Sequence, residues 1–298
     1  MGANYEADSG CLWIPYQYYT MGDFYECIIA RYQATATATA TTTTTANEAV
    51  ARSVLYNVAD AVRCLHEHGI VHCDIKPENI FLDGVKKIGV LGDYGAVVVL
   101  SSLGLGSCSS LHDIDIDIDT DIDIDIGSKS RTSTSSPVSV TASVLGDLPT
   151  AFTPQYAAPQ FFSACGEPCV DAILGCHPTA VDVWAFGMCV YVACTGGGVP
   201  WECACPATDA RFKEWVFLRA AISQRDLDAF LGRGASTAGS GADVAFCTEL
   251  ACILGFLDPL ATMSVPLLQL LVQVFDPSEA TRITMAAVHK SAWFCSSK

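Results

Sequence analysis

Basic residues are scarce in this chain. Lys and Arg total 16 against 32 Asp and Glu, a formal charge of −16 over 298 residues. That sign is wrong for a surface that grips DNA or RNA through its phosphates, so no nucleic-acid partner is expected. Long apolar runs are missing too. The most apolar stretch, residues 245–275, is broken by Glu249, Asp258, Pro259 and Pro266, short of the ~18 residues that would suggest a membrane-spanning helix. No membrane partner is expected. The opening MGANYEADSG has neither the cationic flank nor the apolar core of a secretory signal, and Glu6 stands where a myristoylation signal has Ser or Thr. Paired metal-ligand spacing is also lacking: Cys165, Cys169, Cys176, His177, Cys203 and Cys205 contain no C-x2-C step, which favours free thiols over zinc. An odd total of 15 cysteines scattered through apolar stretches fits reduced thiols, so an intracellular protein is expected, in the cytoplasm or the nucleus.

What is present is enough apolar sequence for a real core, 51% of all residues, interrupted by segments of biased composition. Residues 34–46 are an Ala/Thr repeat, read as a linker, although Ala favours extension of a neighbouring helix. Residues 98–147 join a Ser/Gly-rich stretch, an Asp-Ile alternation with seven Asp between 113 and 125, and a Ser/Thr run. Period two is a strand pattern, but a strand with one wholly anionic face repels itself, so disorder is the expectation. The tract also lacks the Gly and terminal Glu of a calcium loop. Residues 232–243 form a third, Gly/Ser/Ala-rich loop.

The remainder reads as mainly helical with a few small strands. Leu12 to Tyr19 suits a strand, and Asp23 is placed to cap a helix running through Tyr32. Asn47 to His68 carries Val50, Val54, Val58, Ala61, Val62 and Leu65 at three- and four-residue spacing, with Gly69 placed to end the helix. Ile80–Leu82 and Lys87–Leu91 flank Asp83-Gly84, a hairpin signal. Helices dominate from Ala180 onward.

Five motifs stand in order along this frame. Ile70-Val-His-Cys-Asp-Ile-Lys-Pro-Glu-Asn-Ile80 resembles the catalytic loop of a protein kinase, with His72, Asp74, Lys76 and Asn79 in register. Gly92-Asp93-Tyr94-Gly95 resembles the family's magnesium-binding Asp-Phe-Gly turn with Tyr for Phe. Thr153-Pro-Gln-Tyr-Ala-Ala-Pro-Gln160 resembles the end of an activation segment, and Ala180-Val-Asp-Val-Trp-Ala-Phe-Gly187 the buried helix that follows. Asp276-Pro277, Arg282 and His289 to Phe294 resemble its last helices.

The resemblance implies an α+β, protein-kinase-like fold over residues 11–294, mainly the helical C-terminal lobe with a small β-hairpin at the catalytic loop. It implies a serine/threonine kinase moving the γ-phosphate of ATP to protein substrates, because Lys76-Pro-Glu-Asn79 and Thr153 match that class. Trp201 and the 209–215 stretch lean loosely toward calmodulin-dependent and related kinases. Asp74 would be the base, Lys76 would meet phosphate oxygens, and Asn79 and Asp93 would hold Mg2+ through hard oxygens. Tyr16, Gln17, Tyr19, Asp23, Glu78 and Phe81 would surround the nucleotide, and Thr153 would dock the substrate. His72, Asp182 and Arg282 take structural roles. Two departures accompany the match. Cys73 replaces the Arg that receives an activation-segment phosphate in many kinases, so switching through this position is not expected. Gln160 replaces the Glu that pairs with a late-helix Arg, here assigned to Arg282. The family's Gly-rich loop and strand Lys have no counterpart before the hinge, which leaves a second reading open: a catalytically impaired relative, or a fragment acting as an interaction module.

Overall fold

A computed structural model describes residues 4–6, 11–13, 17–34, 40–86, 88–100, 153–163, 166, 177–232, 248–259 and 261–295. Tyr16, nearly all of the acidic insertion, Cys165, Cys169, Cys176 and residues 233–243 lie outside that description. Two short strands near the start, β1 (Asn4–Glu6) and β2 (Cys11–Trp13), pair antiparallel. Of the strand expected from Leu12 to Tyr19, Leu12 and Trp13 lie in β2, whereas Gln17 to Tyr19 are irregular. Asp23 and Phe81 form an isolated bridge.

Asp23 opens α1 (Phe24–Ala34), its Oδ1 accepting the Glu26 amide at 2.9 Å. The next helix, α2 (Ala40–Glu67), starts inside the Ala/Thr tract, so residues 40–46 are helix where a linker was expected. The reason is the low cost of Ala in a helix joined to a strongly amphipathic continuation. Along that continuation Val54, Leu55, Val58, Ala59 and Val62 are buried, a stripe at helical spacing that faces the core. Gly69, at φ 70°, takes the left-handed conformation that ends the helix.

The core centres on α3 (Ala180–Thr195), in which every side chain from Ala180 to Cys194 is buried. A helix apolar all round must be surrounded, and it is: α2 packs on one side and α7 (Val265–Val274) on another. At Gly187 an added Cβ would come within 2.6 Å of Val274 Cγ2, so this crossing requires Gly. Trp184, Trp201, Phe212, Trp215 and Phe275 form a contiguous aromatic cluster, with Trp201 at 5.1 Å from both Phe212 and Phe275. The Trp215 indole donates to the Phe275 carbonyl at 2.8 Å, satisfying its one polar atom. Around this core stand α4 (Ala210–Ala221), α5 (Gln224–Leu231), α6 (Thr248–Leu257), α8 (Met285–His289) and α9 (Ala292–Cys295).

Small sheets present the loops. β3 (Ile70–Val71) pairs antiparallel with β6 (Val98–Val99). β4 (Ile80–Asp83) pairs with β5 (Ile88–Leu91), from Ile80 opposite Leu91 to Asp83 opposite Ile88. The turn between them closes because Asp83 Oδ1 accepts both the Val85 and Lys86 amides at 2.9 Å. The fold is α+β, and its strand ends bring residues 72–79 and 92–97 to one edge.

Candidate active site

The loop from His72 to Asn79 is shaped from below by Asp182 in the first turn of α3. Its carboxylate is fully buried. Oδ2 accepts the His72 amide and Oδ1 the Cys73 amide, each at 2.8 Å, and Oδ2 also accepts His66 Nε2 at 2.8 Å. These bonds hold Cys73 at φ 65°, a left-handed backbone that a non-glycine residue adopts only when its surroundings demand it. Burial pushes the Cys73 thiol well above its ordinary range, and Asp182 and Asp74 add to the effect. Burial thus favours the neutral thiol at this position. The His72 ring is fixed as well: Nδ1 accepts the Asp74 amide at 3.4 Å, which leaves the proton on Nε2 to donate to the Gly92 carbonyl at 3.1 Å.

Past the left-handed turn the polar side chains converge. Asp74 Oδ2 accepts Lys76 Nζ at 2.8 Å and Asn79 Nδ2 at 2.9 Å. Asn79 Nδ2 also donates to the Asp74 carbonyl at 2.8 Å, which turns the amide oxygen the other way. Lys76 Nζ further reaches Thr153 Oγ1 at 3.5 Å, across 77 positions. Pro77 to Asn79 make a single 3-10 turn, in which successive side chains diverge by a third of a revolution. Glu78 is not among the residues lining the cleft beside Asn79. Its Oε2 is buried without a hydrogen-bond partner. Its charge reaches Tyr156 and Cys189, both pushed upward first by burial and further by Glu78 among other neighbours.

That cleft measures about 660 Å3 and is lined by Gln17, Tyr18, Tyr19, Asp23, Asn79, Phe81, Asp93 and their neighbours. The Tyr19 and Phe81 rings lie parallel within 10°, centroids 5.9 Å apart, a flat apolar wall suited to an aromatic base. Gly92 lies against this wall, since a Cβ there would meet Phe81 Cε2 at 2.6 Å. Asp93 sits at φ 57°, with Oδ1 accepting the Gly95 amide at 3.4 Å. Among the described residues no group of three or more His, Cys, Asp or Glu could hold a metal. Asn79 and Asp93 offer two hard oxygens, a donor set that fits a small divalent cation completing its shell with phosphate and water. Beyond the expected residues the lining also holds Glu26, Val90, Leu91 and Tyr94, and His66 bonds Asp182. Glu26, Val90, Leu91 and His66 stand outside the motifs and are set by how α1, α2 and the hairpin pack, whereas Tyr94 belongs to the turn that carries Asp93.

Below the site, buried Arg282 donates to Gln160 Oε1 at 3.3 Å, to the Ala180 carbonyl at 2.7 Å and to the Asp276 carbonyl at 2.9 Å. Its guanidinium also lies 4.9 Å from the Trp184 ring centroid. Burial lowers its pKa to about 10 against the raising effect of Asp276 and Glu279, so it remains a cation at neutral pH.

Comparison with known proteins gives the same direction. Residues 15–108 match the protein kinase domain. The chain is 47% identical over 55 residues to the serine/threonine-protein kinase PKH2 of Saccharomyces cerevisiae, a match covering 18% of this chain and 5% of that protein. It is 44% identical over 57 residues to the serine/threonine-protein kinase DCLK1 of Rattus norvegicus, covering 18% and 13%. With the serine/threonine-protein kinase ksp1 of Schizosaccharomyces pombe it shares 29% over 92 residues, covering 30% and 18%. The chain thus matches less than a fifth of the length of each of these relatives.

Proposed function

We propose, on the premise that the chain belongs to the protein kinase superfamily in its serine/threonine class, that it transfers the γ-phosphate of ATP to Ser or Thr hydroxyls of proteins. One observation carries the reading: Asp74 Oδ2 is held by both Lys76 and Asn79, with Thr153 Oγ1 within reach of the same lysine. In this arrangement Asp74 accepts the proton of the incoming hydroxyl as its oxygen bonds to the γ-phosphorus and the bond to the β-phosphate oxygen breaks. Lys76, already at the base, offsets the charge that develops on the transferring group. Asn79 and Asp93 would hold Mg2+, which when bound supplies neutralisation of the phosphate charge. Tyr19 and Phe81 would form the apolar wall against which the adenine lies, and Asp23 would take the ribose hydroxyls. Thr153 would orient the acceptor.

The test is transfer of labelled phosphate from ATP to a general protein substrate, comparing the chain with Asp74→Asn. A fall of about 10²- to 10⁴-fold, the usual worth of a positioned base, is expected. Activity indifferent to the substitution would overturn the assignment of the base.

A second reading has its own support. Among the described residues lining the cleft are three carboxylates, Asp23, Glu26 and Asp93, and no lysine or arginine that could grip the inner phosphates. On that reading the chain is a kinase-like interaction module with impaired turnover. Nucleotide binding by calorimetry without any transfer above the Asp74→Asn background would favour it.

A further inference from the structure

The turn that carries Asp93 holds a feature that the match to the family does not supply. Tyr94 stands where the family pattern has Phe, and its hydroxyl donates to the Leu91 carbonyl at 3.1 Å. Its ring meanwhile stands against His72, centroids 5.2 Å apart. The side chain is thus fixed at both ends and closes a loop over Asp93 from residue 94 back to residue 91. Asp93 is one of three described non-glycine residues at positive φ, a conformation that persists only where neighbours over-determine it. On the chain side before it, Gly92 donates to the Asn79 carbonyl at 2.9 Å and accepts His72 Nε2 at 3.1 Å. On the side after it, Asp93's own contact with the Gly95 amide is long, at 3.4 Å.

We infer that the Tyr94 hydroxyl is a positioning group: by bonding Leu91 it holds Asp93 in the left-handed geometry that presents its carboxylate to the cleft. A Phe here would keep the ring against His72 and lose the bond to Leu91. The role of Asp93 toward Mg2+ rests on the kinase reading above, but the tether itself does not. Tyr94 touches no reacting atom in this scheme and acts through Asp93.

Hydrogen exchange of the metal-free chain tests it. In Tyr94→Phe the amides of Gly92 to Gly95 are expected to exchange about 3- to 10-fold faster, the equivalent of one ordinary hydrogen bond. The exchange of α2 and α3 should stay unchanged. Binding of Mn2+ with ADP, followed by electron paramagnetic resonance, should weaken by a similar factor. Tyr94→Leu, which removes the ring as well, should loosen the turn further. Unaltered exchange of these four amides in Tyr94→Phe would overturn the inference. If the wild-type chain transfers no phosphate, the proposed function fails while the exchange result still decides the tether.

Discussion

His66 Nε2 and Asp182 Oδ2 meet at 2.8 Å across 116 positions of sequence, joining the end of α2 to the start of α3 directly beneath the loop that carries Asp74. The same carboxylate holds the amides of His72 and Cys73. One buried group therefore fixes both a helix crossing and the left-handed turn from which the active-site side chains project. Asp182→Ala strands two buried amides and the His66 ring, and is expected to cost about 3–5 kcal/mol. His66→Ala removes one of the three bonds and should cost about 1–2 kcal/mol. Urea denaturation of both variants and of the double mutant checks this. Strictly additive losses would show that the two residues are not coupled.

The Gln160 to Arg282 contact can be strengthened. Arg282 is already buried and cationic, yet faces a neutral amide at 3.3 Å. Gln160→Glu turns that contact into a charge-assisted one while giving up the Gln160 Nε2 bond to Pro277. A net gain of about 1 kcal/mol is expected in urea denaturation, and a loss of similar size would mean that desolvating the new carboxylate outweighs the pairing.

Glu48 is a second buried carboxylate with long reach. It accepts the Ser264 amide and hydroxyl at 2.7 Å each and Trp293 Nε1 at 3.4 Å, tying α2 to the start of α7 and to α9. Glu48→Ala leaves these donors without their acceptor and should cost about 2–4 kcal/mol. Retained stability in thermal melts would show that water takes over as acceptor for these donors.

Thiol reactivity should divide by burial. Cys64, Cys252 and Cys295 are exposed and free, whereas Cys189 and Cys194 are buried and pushed well above the ordinary value of 9.0, first by burial. Iodoacetamide at pH 8 is expected to modify the exposed set in the native protein and the buried pair only after unfolding. Alkaline stability follows with a definite sign. Below pH 9 these thiols are protonated in both states and contribute nothing to the pH slope. Above it the unfolded chain releases protons that the folded chain keeps, so stability falls by about 1.4 kcal/mol per pH unit for each such thiol. Urea midpoints measured from pH 8 upward, repeated with Cys189→Ala, check both sign and slope.

The legibility of this protein in its sequence differs by the range of the interaction. The stripe on α2, the Asp23 cap, the hairpin closed by Asp83 and the largely apolar α3 are readable because three- and four-residue spacing, alternation and turn chemistry act between near neighbours. The order of motifs singles out Asp74, Lys76, Asn79 and Asp93 as the residues of the candidate site. The start of α2 is not legible because a uniform Ala/Thr tract has no pattern of its own, and only the attached amphipathic helix decides its state.

By itself, then, the sequence determined which elements form and which residue types stand in a catalytic order, since those depend on local propensity and on the chemistry of single side chains. Tertiary structure alone decided that His66 meets Asp182, that Thr153 comes within reach of Lys76 and that Tyr94 closes over Asp93. Each of these depends on groups brought together by the packing of α2, α3 and the hairpin around one core, and no spacing along the chain encodes a contact that a buried carboxylate or a left-handed turn creates at a distance.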